Sequence, residues 1–145
     1  MKIFVSQFIL LIFECTRIIE SYPTGAPSSI CGLMVPSHGT SSMSCQSNYV
    51  IEANKYQYSS NDTIQITVRG ATSSDRFKGI LLVAKDASDQ NILGSWSSIN
   101  SSVQVVSCDG TLSNGITHTS STNKSQIQAT WRSPSTITEK NIVIK

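Results

Sequence analysis

"TIQITVR", residues 63–69, sets Ile64, Ile66 and Val68 against Gln65, Thr67 and Arg69. Apolar and polar positions alternate with a period of two, so a strand here turns one face to a core and the other to water. Upstream, "YVIEA" (49–53) reads as a second strand, separated from it by the turn-forming residues of "YSSND" (58–62). Downstream, "GILLVAK" (79–85) is a nearly continuous apolar run, the pattern of a central strand covered on both faces. "NILGSWSS" (91–98), "VQVVSCD" (103–109), "GITHT" (115–119), "SQIQATWR" (125–132) and "NIVIK" (141–145) complete the series. Turn chemistry recurs between them, as in "SDQN" (88–91) and "DGTLSNG" (109–115). Short strands at regular spacing, without an amphipathic helix, predict an all-β antiparallel β-sandwich, with a closed barrel as the structural competitor.

The chain has 145 residues, room for one domain, and shows neither an internal repeat nor a linker. Ser and Thr together number 39 while charged residues make up only 14%, a polar but weakly charged surface that suits extracellular β-domains. The formal charge of +2 is scattered with no basic run, so nucleic acid is not an expected partner.

Residues 1–21 read as a secretory signal. Lys2 supplies the positive n-region, "IFVSQFILLIF" (3–13) the apolar stretch, and Ser21 with Ile19 an acceptable cleavage site that leaves Tyr22 first. No other segment approaches the roughly 20 apolar residues of a membrane-spanning helix, so a soluble, secreted domain over 22–145 is expected. Removal of the signal takes Cys15 and leaves Cys31, Cys45 and Cys108. In an oxidising compartment two of these pair and one is left over, and spacing alone does not choose between them.

Residues able to carry chemistry are few. His38 and His118 lack a third ligand, and no HExxH, CxxC or G-x-S-x-G pattern is present. Asp86 and Asp89, the closest acidic pair, fall in the turn-like "KDASDQN" rather than in a paired-carboxylate arrangement. Catalytic, metal-binding and cofactor-binding residues are therefore expected to be absent. Asn61 ("NDT"), Asn100 ("NSS") and Asn123 ("NKS") are glycosylation acceptors in predicted turns. Trp96 and Trp131 lie in strand-like runs. One packed over an inter-sheet disulfide is the familiar sandwich arrangement, and Trp96 is the candidate for an exposed carbohydrate platform.

Several motifs in order resemble those of reeler domains. They are "YPTGAPSSIC" (22–31) followed by "MVPSHG" (34–39), "FKGILLVA" (77–84), "GSW" (94–96), the late Cys108, "THTSSTNK" (117–124) and "WRSP" (131–134). Ile80 stands where the family often has Phe, an apolar exchange. The resemblance extends over residues 22–145 and is nearest to small secreted insect-type defence proteins (noduler-like). It implies an immunoglobulin-like sandwich in which Cys108 pairs with Cys31, while Cys45 departs from the pattern. Such a bridge closes a loop of roughly 75 residues, worth on the order of 4 kcal/mol in the chain-entropy model. It makes the proline-rich stretch 22–39 a folded arm, the alternative being a flexible lead-in with Cys31 joined to Cys45. The function implied is a non-enzymatic, secreted defence protein of a haemolymph-like fluid that binds bacterial surface glycolipid or polysaccharide such as lipopolysaccharide. The alternatives are an extracellular-matrix module and the N-terminal part of a ferric-chelate-reductase-like membrane protein.

Overall fold

The alternation of residues 63–69 is realised in three dimensions. In the computed structural model, which describes residues 22–35, 48–137 and 139–145, Ile64, Ile66 and Val68 are buried and the residues between them half-buried. The strands are β1 (Tyr49–Ala53), β2 (Thr63–Gly70), β3 (Leu81–Asp86), β4 (Ser95–Ser98), β5 (Val103–Val106), β6 (Gly115–His118), β7 (Gln126–Arg132) and β8 (Ile142–Ile144). They form two four-stranded sheets, β1-β2-β7-β4 (sheet I) and β5-β6-β3-β8 (sheet II), with every pairing antiparallel. Two separate sheets settle the architecture as an all-β sandwich and set aside the closed barrel. Between them Ile66, Ile116, Ile127, Ala129 and Trp131 are all but sealed from water. Burial on this scale is the main stabilising term for such a domain.

Strand β3 is buried on both sides, as its unbroken apolar run predicts, and the cover on each side differs. Leu82 and Ala84 point into the inter-sheet core, whereas Val83 packs with Cys31 and Cys108 in a second cluster on the outer face of sheet II. That outer face carries the N-terminal arm. The Ala26 amide donates to Thr117 Oγ1 at 2.7 Å, and Gln104 Nε2 donates to the Thr24 carbonyl at 2.6 Å. Further along, Lys85 Nζ donates to the Gly32 carbonyl at 3.1 Å. The Cys31–Cys108 disulfide closes the arm onto the sheet with a Cα–Cα distance of 5.7 Å. Pro27 is extended at φ −71° and ψ 153°, so the arm needs no ladder hydrogen bonds to hold its course. Gly25 permits the closest approach: at φ +128°, a Cβ there would lie within 2.9 Å of both the His118 carbonyl oxygen and Thr117 Cγ2. The breaker-rich stretch is a folded arm over residues 22–35.

Four local expectations are corrected. The disulfide is not inter-sheet, and neither tryptophan packs over it; Trp96 and Trp131 belong to the main core. They stand directly opposite each other on β4 and β7. Trp96 is 3% exposed and therefore no carbohydrate platform. The strand expected over 91–98 begins only at Ser95, because Gly94 turns the chain at φ +73°. Upstream of it Ile92 makes only an isolated bridge to Lys85. Similarly, β5 stops at Val106, and Cys108–Gly110 forms a 3-10 turn that presents the sulfur to the arm.

Candidate functional site

The two sheets do not close evenly. Edge strand β4 lies against β5 and β6, so the opposite side of the sandwich is bounded by β1 on sheet I and the three-residue β8 on sheet II. Ile51 and Tyr49 share the inward face of β1, since Ile51 stands opposite Val68 and Ala53 opposite Ile66. Yet both are about half exposed, at 47% and 48%. An inward-facing apolar row that remains wet marks a sandwich open along one side.

At the end of that side a cleft of about 560 Å³ enters between the sheets, within the size range of small-ligand sites. Beneath it lie Ile64, Ile66 and Trp131 of sheet I, which are themselves buried, and its open surface comes from the half-buried Ile142 and Ile144 of β8 together with Gln57, Glu139 and Asn141. The β1–β2 loop supplies one lip with Lys55 and Tyr56, and the β7–β8 segment supplies the other with Ile137 and Lys140. Tyr56 is 85% and Ile137 38% exposed, so each lip offers water an apolar group beside an ammonium. Tyr58 staples the lips: its hydroxyl donates to the Glu139 carbonyl at 2.6 Å, and its ring meets Trp131 edge-on at 5.6 Å. Burial, then the nearby Glu139 carboxylate, raises the Tyr58 phenol above its ordinary range and keeps it a neutral donor. Lys55 pairs with Asp62 at 2.8 Å. The hydrogen bond from Lys55, then that from the Ser59 amide, holds the Asp62 carboxyl below its usual range. Lys140 forms no salt bridge among the described residues. The cleft is a mixed polar and apolar groove with charged rims, and its lining places no nucleophile beside a base.

The other residues singled out in the sequence are placed by the fold as follows. His118 is buried against the arm, with Nδ1 accepting from the Ile80 amide at 3.1 Å and Nε2 donating to the Tyr22 carbonyl at 3.0 Å. His38 and Cys45 lie outside the described residues, as does the signal segment 1–21. Among the described residues no group of three or more His, Cys, Asp or Glu side chains could hold a metal ion, and no helix is long and apolar enough to cross a membrane. Asp86 and Asp89 brace the β3–β4 turn. Asp86 accepts from the Gln90 amide at 2.9 Å and Asn91 Nδ2 at 2.6 Å, and Asp89 bridges Lys85 and Lys145. Asn61, Asn100 and Asn123 are all exposed. Asn61 stands in the β1–β2 loop near the cleft, the other two in the β4–β5 and β6–β7 loops at the far end.

Of the cleft residues, Ile64, Ile66 and Trp131 stood out in the sequence as core positions, and none of the lip residues stood out. Lys55 and Lys140 are far apart in the chain, and only the placement of β8 opposite β1 brings their loops together. The one available signal was "KYQY" (55–58), which carries two tyrosines into a loop.

The family model of the Reeler domain matches residues 29–145. "Putative defense protein 3" of Antheraea mylitta is 32% identical over 127 residues, which cover 88% of this chain and 76% of that protein. "Ferric-chelate reductase 1" of Bos taurus is 32% identical over 134 residues, but the chain spans only 22% of its length. A similar share, 22%, is matched in "Putative ferric-chelate reductase 1" of Danio rerio at 30% identity. Among solved structures the Reelin-N domain of F-spondin superposes with a TM-score of 0.56 at 17% identity, over 68% of this chain and 69% of that one. That likeness concerns the fold. With a two-sheet sandwich, an arm bridged by Cys31–Cys108 and a family match over most of its length, the chain belongs to the reeler-domain family.

Proposed function

We propose that this chain is a secreted, non-catalytic defence protein that recognises bacterial surface components, lipopolysaccharide among them. Insect relatives named as defense proteins support the reading, because the chain spans about three quarters of their length. The observation that carries it is the groove at the β1/β8 side, with the exposed Tyr56 and Ile137 and a lysine on each lip. Residues 1–21 act as the signal and direct residues 22–145 to the extracellular fluid, where Asn61, Asn100 and Asn123 carry glycans. Secretion from an insect-cell host tests that part: the product begins at Tyr22 and loses mass on treatment with an N-glycosidase. Recognition is tested by retention on lipopolysaccharide-coated beads with free lipopolysaccharide as competitor. Saturable, competed binding supports the function, and the absence of any retention sinks it.

The likeness to the N-terminal part of ferric-chelate reductases favours a second reading, in which this domain precedes haem-binding and membrane segments. Extending the messenger beyond the codon for Lys145 decides between the two.

A further inference from the structure

We propose that β1 is a dimerisation edge: two copies of this chain pair β1 with β1, antiparallel about a two-fold axis at Ile51, so that their sheets I become one continuous sheet. The inference goes beyond bacterial recognition and does not depend on it.

The register of β1 against β2 fixes which backbone groups of β1 are spare. The Ala71 amide donates to the Asn48 carbonyl at 2.8 Å, and the Asn54 amide to the Gln65 carbonyl at 3.1 Å. Both bonds belong to the register that sets Val50 opposite Arg69 and Glu52 opposite Thr67. Hydrogen-bonded and non-hydrogen-bonded pairs alternate along an antiparallel ladder. Val50 and Glu52 therefore turn their N–H and C=O groups to β2, while those of Tyr49, Ile51 and Ala53 point away from the sheet. No described strand lies on that side, since β1 ends the order of sheet I. Such a row of spare donors and acceptors is a template for an added strand.

A second β1 matches this row. With Ile51 on the axis, Tyr49 of one copy faces Ala53 of the other, and the two Ile51 residues face each other. All of these positions carry spare groups on both chains, so each pair exchanges both of its N–H···O bonds. On the inward face the small Ala53 leaves room for the Tyr49 ring, and the half-exposed Ile51 side chains cover one another. The Tyr49 hydroxyl donates to the Arg76 carbonyl at 2.9 Å and its ring meets Phe77 edge-on at 5.8 Å, so little freedom is lost on docking it. On the outward face Glu52 is paired with Arg69 and stands opposite Val50 of the second copy, so bare carboxylates do not meet.

The other edges are less suited. β4 and β5 lie against each other, and β8 has only three residues, flanked by Lys140 and Lys145. β1 carries neither the lysine nor the proline with which edge strands repel a neighbour. Five residues a side bury less than the roughly 1,000 Å² of a stable interface, so the dimer is reversible, with a dissociation constant in the micromolar range.

Sedimentation velocity of the purified secreted protein from about 1 µM to about 1 mM tests the proposal. A reversible monomer–dimer equilibrium is expected, with the chain running as a monomer on a denaturing gel without reductant. Ile51→Lys sets two ammonium groups against each other at the axis and weakens the dimer at least about tenfold. Ile51→Pro removes a spare N–H and no β1–β2 bond, and weakens it likewise. Val105→Lys, at an exposed position of β5, leaves the dimer as in the parent. Circular dichroism checks that each variant is folded. In the parent itself, hydrogen exchange at the amides of Tyr49, Ile51 and Ala53 slows as concentration rises, while Val50 and Glu52 are protected throughout. A chain that stays monomeric overturns the inference, as does a dimer indifferent to both Ile51 substitutions. A disulfide-linked dimer, or concentration-dependent protection at Ile142 and Ile144 in place of Tyr49, Ile51 and Ala53, overturns it too.

Discussion

His118 Nε2 lies 3.0 Å from the carbonyl oxygen of Tyr22, joining the last residue of β6 to the start of the arm across ninety-six positions of sequence. The other ring nitrogen, Nδ1, accepts from the Ile80 amide, so the proton of the neutral ring resides on Nε2 and is donated to Tyr22. Nitrogen-15 NMR of the ring in its neutral form is expected to show the Nε2–H tautomer. His118→Phe strands both partners and lowers stability by about 1–3 kcal/mol in denaturant titration. Unchanged stability in that variant contradicts the role assigned to the ring.

The disulfide is the stronger tether. Cys31 and Cys108 are separated by 77 residues, and cross-linking a loop of that length restricts the unfolded chain by about 4 kcal/mol. Cys31→Ala with Cys108→Ala is expected to lower unfolding free energy by that order. It also raises hydrogen exchange at Ala26, whose amide is held by Thr117.

Lys124 is an unusual interior cation, only 6% exposed. Its ammonium donates to the carbonyls of Lys78, Ser120 and Thr122 at 2.9, 2.6 and 2.9 Å, so it ties the β2–β3 loop to the β6–β7 loop. Burial pushes its pKa below the ordinary lysine value. Lys124→Met fits the volume but orphans three carbonyls, and a loss of about 1–3 kcal/mol is expected by thermal or urea unfolding.

Acid stability follows from the β3–β4 turn. For Asp86 burial pushes the carboxyl up, but hydrogen bonds from Asn91, Gln90 and Ser88 outweigh it and bring the pKa from 3.8 down to about 2. Hydrogen bonds from Lys145 and Lys85 likewise lower Asp89. A carboxylate depressed in the folded state stabilises the fold above its unfolded pKa and loses that contribution as pH falls through the folded value. Stability is therefore expected to decline between about pH 4 and pH 2. Asp86→Asn is expected to be less stable at neutral pH and to show a shallower decline, as read by urea midpoints across that range.

Gly94, within "GSW", is expected to tolerate no side chain. At φ +73° a Cβ there would press on the Arg132 carbonyl oxygen and lie 2.5 Å from Trp131 Nε1. Gly94→Ala must displace the indole from the Leu93 carbonyl that it now bonds at 2.9 Å. A loss larger than the 1 kcal/mol or so typical of exposed Gly→Ala changes at positive φ is expected, with a shifted tryptophan emission spectrum.

The parts of this fold that were legible in the sequence are those in which one residue's environment is set by its own strand. The Ile64, Ile66, Val68 alternation announced its buried face, and the unbroken run at 79–85 announced a strand covered on both sides. What covers the second side of β3 came from resemblance, because a Cys31–Cys108 contact depends on chain folding over 77 positions. Trp96 illustrates the limit. A lone aromatic among serines fits an exposed platform as well as an edge-strand anchor, and only its register opposite Trp131 decides for the core. The cleft was illegible for a related reason: it is a gap between β1 and β8, and a gap has no residue pattern of its own.

The most direct measurement is retention of the purified secreted protein on intact Gram-negative and Gram-positive bacteria across a salt titration. Saturable binding that persists at moderate salt is the predicted result, since recognition by a shaped site outlasts the screening of long-range charge. Binding that vanishes with salt, or none at all, would contradict the account and turn the search toward protein partners.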